Sequence, residues 1–281
     1  MLLDMPQADA AIEMSGLVLR FGSLAAVDGI DCAVGSGEMF GLLGANGAGK
    51  TSTLKILTTL LPPSAGRARV AGFDVARSPA EVRRRIGYVP QMLSADGALT
   101  GRENLQLSAR LYGVARAARG TRIEAALEFM GLAEAAGRLV RTYSGGMIRR
   151  LELAQAMLHE PRVLFLDEPT IGLDPVARRS VWERLAELNR SQGLTILLTT
   201  HDMEEAEQLC SDLAILHAGR IAVRGKPAEL KAALSAQNGP RGPAEAEPVT
   251  LEQVFAHYSA LSERGRLRDT ASARRVARRL G

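Results

Sequence analysis

In the stretch "GANGAGKTS", residues 44 to 52, Gly44, Gly49, Lys50 and Thr51 fit the spacing G-x-x-x-x-G-K-[ST]. Glycines let the backbone curl until successive N–H groups face phosphate oxygens. Lys50 supplies a cation for the outer phosphates, and the Thr51 hydroxyl is a ligand for Mg²⁺. Asn46, Gly47 and Ser52 belong to the same cradle. The plain alternative is a glycine turn with an incidental lysine, but the chain has only four lysines, so a chance match is rare. Downstream, "VLFLDEPT" places Asp167 and Glu168 at the end of an apolar run. An Asp at a buried strand end can hold Mg²⁺ through water, and the acid beside it can polarise a water for attack on a γ-phosphate. Alone, the same pair reads as a solvated loop start. His201 closes a second apolar run, "LTILLTTH". A strand-end histidine by itself is a packing or capping residue. A fourth stretch, "TYSGGMIRRLELAQAM", residues 142 to 157, sets Ser144, Gly145 and Gly146 before an amphipathic helical run. Either this is a second anion-binding helix start, or Ser144 is an ordinary N-cap.

The elements that must position these residues follow from periodicity. Residues 11 to 44 alternate in short runs and read as antiparallel strands, with turns at Phe21-Gly22 and Gly35-Ser36-Gly37. "MFGLLG" is a short strand ending in the glycine loop, and "KTSTLKILTTLL" has helical spacing through Leu54, Leu57 and Leu61. "RIGYVPQ" reads as a strand ending in a polar loop, and residues 101 to 140 are mostly helical. "RVLFLDEP" and "LTILLTTH" are bare apolar runs between breakers, the pattern of parallel strands buried on both faces. Such strands bring their carboxyl ends to one crevice, so His201 would reach the γ-phosphate. "DLAILHAGRIAVRG" is a closing hairpin, "AQNGPRGPAEAEP" a linker, and "TLEQVFAHYSAL" a short helix.

Composition limits the function classes. Hydrophobic residues are 46% and charged residues 23%, as in a soluble globular protein, and aromatics at 4% demand an aliphatic core. The net charge of +4 is carried by the end of the chain: from Glu263 onward seven Arg face two acids. The remainder is close to neutral, which argues against a nucleic-acid binder. Cys32 and Cys210 are too few for a disulfide framework, so a reducing cytoplasm is expected. The first residues carry acids and no Lys or Arg, unlike a signal peptide. No apolar run reaches the ~18–20 residues that span a bilayer.

Taken in order, the glycine loop, "YVPQ" with Gln91, "YSGGM", "VLFLDEPT", "IGLDP" and "LTTH" resemble the nucleotide-binding subunits of ABC transporters over about residues 12 to 232. The tract from "SGGM" to "IGLDP" is similar to the daunorubicin-resistance, nodulation-factor and sodium-efflux exporters. The resemblance implies an α/β P-loop NTPase of ABC type, with a mostly parallel core sheet, an antiparallel β subdomain and a helical signature subdomain at about 98–160. The nucleotide-binding domain would span 12–234, followed by a linker at 235–249 and a C-terminal helix and basic tail at 250–281.

The cofactors implied are ATP and Mg²⁺. Phe21, where the family usually has Tyr, would stack on adenine. Gln91 would sense Mg²⁺ and the attacking water and touch a membrane partner; the plain alternative is a solvated loop amide. Thr51, Gln91 and Asp167 would form the metal site, with Glu168, His201 and Gln91 as the catalytic set. Ser144, Gly145 and Gly146 would cap the γ-phosphate held by a second copy of the chain in a head-to-tail dimer, and Asp174 would link the two sites. Met147 stands where the family's common signature has Gln, and it cannot donate a hydrogen bond. The expected role is an ATPase energising a separate transmembrane permease for export, placed peripherally on the cytoplasmic face of the membrane, with no nucleic-acid partner. An importer ATPase and a soluble ABC ATPase acting on nucleic acid or ribosomes are the rivals. Asp167 follows Lys50 by 117 positions, and the stretch between carries no sustained heptads for a coiled coil, which weighs against the second.

Overall fold

The computed structural model describes residues 10–237 and 248–261. Two sheets organise them. The first is antiparallel: β1 (Ala10–Phe21), β2 (Leu24–Gly35), β4 (Ala65–Val70) and β5 (Phe73–Asp74) lie in the order β2-β1-β4-β5. Phe21 pairs with Leu24, so the hairpin turn is Gly22-Ser23, one residue later than the sequence pattern suggests. Gly22 takes the positive φ (58°) that this turn requires. The second sheet contains β3 (Met39–Leu43), β6 (Ile86–Val89), β7 (Val163–Asp167), β8 (Thr195–Thr200), β9 (Asp212–His217) and β10 (Arg220–Gly225), ordered β10-β9-β3-β8-β7-β6. Its ladders are parallel except for the edge pair β9–β10.

The bare apolar runs are explained by two-sided burial. Along β7, Leu164 and Leu166 face one cluster, while Val163 and Phe165 face another. The first cluster joins the sheet to α3 (Gly101–Leu111), α4 (Arg116–Phe129), α5 (Gly145–Met157) and α6 (Pro175–Gln192). The second joins it to α1 (Lys50–Leu57) and the antiparallel sheet. α3 opens with a capping box: Thr100 Oγ1 accepts from the Glu103 N–H (3.2 Å), and Glu103 Oε2 accepts from the Thr100 N–H (2.8 Å).

α1 is shorter than its apolar spacing suggests. It ends at Leu57, and Leu61 lies beyond it. Thr59 turns to φ 62°, Leu60 and Leu61 both donate back to the Lys55 carbonyl, and Pro62-Pro63 cannot continue a helix.

A third cluster covers the far edge of the core sheet. Leu213 and Ile215 of β9 pack there with Leu43, α7 (Met203–Leu209), α8 (Pro227–Gln237) and a last helix over 251–261. α8 runs through Gln237, three residues into the span expected to be linker; residues 238–247 lie outside the described residues. The last helix has its own capping box, Thr250 with Gln253, and buries Leu251 and Val254 with Phe255 half-buried. The basic tail beyond it, with Arg274, Arg275, Arg278 and Arg279, is also outside the described residues. Leu251 is fully buried, so Leu251→Ala should cost about 2–5 kcal/mol. A urea midpoint that does not move would show that this helix is no part of the folding unit.

Candidate functional site

Strand register brings the chemistry to one edge. Val89 pairs with Leu166, Asp167 with Thr199, and Leu43 with Thr200. The residues that follow these strand ends, Gln91, Glu168, His201 and Gly44, therefore emerge side by side at the carboxyl ends of parallel strands.

The glycine loop is held tightly against its surroundings. A Cβ on Gly44 would sit 2.7 Å from the Leu216 carbonyl oxygen, and one on Gly49 (φ 108°) would collide with the Ala26 carbonyl oxygen. Asn46 and Gly47 are exposed at the crest of the loop, and Ser52 lies in the first turn of α1. Helices α3, α5, α6 and α7 begin at side-chain caps, namely Thr100, Ser144, Asp174 and Asp202. α1 begins at Gly49, which has no side chain to offer. The amides of its first turn thus face outward at the positive end of the helix.

Lys50 is only 4% exposed, and its Nζ donates to the carbonyls of Gly44 (2.7 Å) and Ala45 (3.3 Å). It also lies 3.2 Å from Glu168 Oε1. Glu168 is equally enclosed, and its other oxygen takes two further partners: His201 Nδ1 at 3.1 Å and Gln91 Nε2 at 3.3 Å. The backbone bends to place it there. Glu168 has φ 49°, uncommon for a residue with a Cβ, and its N–H is shared by the carbonyl and hydroxyl oxygens of Thr199, each at 3.1 Å. Asp167 is buried beside it, its Oδ1 accepting from Thr51 Oγ1 (3.1 Å) and Thr199 Oγ1 (2.6 Å). Burial first, then the Asp167 charge, push the neighbouring Tyr88 phenol up to about 12.

The residues fit the groups that the loop implies. Outward amides and a buried ammonium suit a polyphosphate, and a carboxylate beside a hydroxyl suits Mg²⁺, which keeps several waters and takes few protein ligands.

Five of the expected residues stand elsewhere. Phe21 is exposed at the β1–β2 hairpin, consistent with a stacking surface but with no partner described there. Ser144 caps α5, its Oγ accepting from the Met147 N–H at 3.3 Å. Gly145 and Gly146 abut Leu173 and Ala177, so the start of α5 leans on the start of α6. Met147 packs its side chain against the helical core. Asp174 is the N-cap of α6, accepting from Val176 and Ala177 N–H groups at 3.0 Å. Sequence alone does not single out Thr199 or the buried pair Arg149–Glu152. A threonine inside an apolar strand was a visible signal for the first; nothing local marked which face of α5 would be buried.

The family model described as "ABC transporter" matches residues 27–171. The daunorubicin/doxorubicin resistance ATP-binding protein DrrA of Streptomyces peucetius is 46% identical over 228 residues, covering 81% of this chain and 69% of that one. The Nod factor export ATP-binding protein I of Ralstonia nicotianae is 46% identical over 219 residues, covering 78% and 68%. A solved ATP-binding subunit of an ABC transporter superposes with TM-score 0.75 at 29% identity, over 89% of this chain and 99% of that one. A dimeric ATP-binding cassette bound to ADP and Pi shares the fold, with TM-score 0.69 at 23% identity over 76% and 98%. The chain belongs to the ABC transporter family, as an ATP-binding subunit.

Proposed function

We propose that this chain is the ATPase of an exporter, hydrolysing ATP to drive a separate membrane permease. The observation that carries the chemistry is the convergence of Lys50, Gln91 and His201 on Glu168, beside Asp167 and Thr51. Export is supported by relatives named for drug resistance and Nod factor export.

Lys50 and the first-turn amides of α1 bind the β- and γ-phosphates. Thr51 and Asp167 would hold Mg²⁺, with Gln91 as a further candidate ligand. Mg²⁺, when bound, neutralises charge building on the phosphate oxygens. Glu168 takes the proton of the attacking water, and Gln91 and His201 keep its carboxylate oriented; His201 also reaches toward the γ-phosphate. Phe21 offers a ring to the adenine. Positioning and charge stabilisation supply most of the rate.

No helix among the described residues is long and apolar enough to cross a membrane, and in this reading the translocation path lies in the partner permease. Met92 and Leu93, next to Gln91, and Leu107 and Leu111 of α3 are exposed apolar side chains suited to contact with a permease at the cytoplasmic face of the membrane. The site is completed by a second copy: Ser144, Gly145 and Gly146 of one chain cap the γ-phosphate held by the other, and Asp174 stands between the two sites. The domain limits follow the same reading, with the ATPase domain closing at α8.

Mixing tests the shared site. Lys50→Ala and Ser144→Arg chains are each expected to be inactive alone. Combined, a heterodimer holds one site with both defects and one with neither, and partial ATPase activity should return. If Ser144→Arg alone leaves turnover and ATP-dependent dimerisation intact, the cross-chain reading is wrong.

A further inference from the structure

Helix α5 carries two charges that the site above leaves unused. Arg149 and Glu152 lie one turn apart, 2% and 3% exposed, and form an ion pair with Nη1 3.0 Å from Oε2. Their other hydrogen bonds run to a single segment, the loop after β6. Arg149 Nη1 donates to the Pro90 carbonyl at 2.7 Å, and Nη2 donates to the Gln91 carbonyl at 2.9 Å. Glu152 Oε1 accepts from the Ser94 N–H and, at 3.0 Å, from the Ser94 hydroxyl. The guanidinium thus spans two consecutive carbonyls, and the carboxylate holds the chain three residues on.

Stability alone does not account for such a pair. Taking two charges out of water is costly, and a well-packed apolar pair of similar volume is often as stable or more so. Burial pulls the Arg149 guanidinium below the usual arginine range, while the charges of Glu152, Glu205 and Asp167 act against that fall. What an apolar pair could not do is grip backbone carbonyls. Fixing the carbonyls on either side of Gln91 N fixes the direction of its Cα–Cβ bond. The exposed side chain can then meet Glu168 Oε2 at 3.3 Å.

We infer that Arg149 and Glu152 are positioning residues that set Gln91 against Glu168 and tie its place to that of helix α5. This rests on the reading of Glu168 and Gln91 given above. Ser144 caps the same helix, and Arg149 follows within its second turn. A nucleotide on the partner chain that engages Ser144, Gly145 and Gly146 would therefore steady α5 and, through this clamp, Gln91 in the chain's own site.

A mutant cycle tests the clamp. Arg149→Gln alone leaves Glu152 buried without a partner and is expected to fold poorly. The paired change Arg149→Gln/Glu152→Gln removes both charges, with volume kept at Glu152 and reduced at Arg149, and is the working variant. It should melt as one cooperative unit and bind ATP with unchanged affinity. Its turnover at saturating ATP and Mg²⁺ should fall about 10- to 100-fold, by the same factor as Gln91→Ala. The Mg²⁺ concentration for half-maximal activity should rise in both. Placed in the Gln91→Ala background, the paired change should add nothing further. Undiminished turnover, or a loss that multiplies with that of Gln91→Ala, would overturn the clamp and leave the Glu168 site standing. Wild-type turnover in Gln91→Ala itself would remove the site reading first, and the clamp with it.

Discussion

Lys50→Ala is expected to leave no measurable ATPase activity and to weaken ATP binding by about 10- to 100-fold, the worth of a charge-assisted bond or two. Two losses combine. The phosphates lose the one ammonium whose stem is buried under the glycine loop and whose Nζ faces the Gly44 and Ala45 carbonyls. Glu168 loses the cation 3.2 Å away, in a setting too enclosed for water to replace it fully. The two are separable by measurement. Titration with a fluorescent ATP analogue reads the first, and thermal unfolding without nucleotide reads the second. A variant with unchanged affinity and turnover would refute the assignment of this loop to phosphate.

Much of this site could be read from the chain because its parts sit where periodicity changes. Asp167, Glu168 and His201 each end an apolar run, and Lys50 follows a glycine loop between a strand and a helix. Physics ties those boundaries to the end of a buried strand, where polar side chains first become affordable. What local pattern does not contain is the order of strands. That β7 lies between β6 and β8, and β3 on the far side of β8, is decided by packing across the whole sheet. Without that order, the meeting of Gln91 with Glu168 rests on resemblance alone. Leu61 shows the opposite failure: it keeps the helical spacing of Leu54 and Leu57, yet the chain has already turned at Thr59 ahead of two prolines. Arg149 and Glu152 escaped for a related reason. On a helix that also bears Arg150, charge gives no sign of which side faces inward, and only the packing of α5 against the core sheet decides it.

Glu168→Gln should lower turnover by about 10²–10⁴-fold while ATP still binds. The amide keeps the shape of the carboxylate, and its one oxygen can accept from His201 and Gln91 or from Lys50 but not from both sides, so the packing of the site is kept while one of these contacts is lost. It cannot take a proton from water at neutral pH, so the chemical step loses its base. Binding without hydrolysis has a structural consequence if each site is built from two chains. ATP would remain between the glycine loop of one copy and the Ser144–Gly146 turn of the other, and the pair would stay closed. Size-exclusion chromatography with Mg·ATP should then show a dimer for the variant at concentrations where the parent chain runs as a monomer. The same dimer should be lost when Ser144→Arg is added, because the cap that holds the second side of the nucleotide is blocked. Normal hydrolysis by Glu168→Gln would show that another group is the base. Slow hydrolysis with no dimer would keep Glu168 as base but break the link between trapped nucleotide and chain pairing.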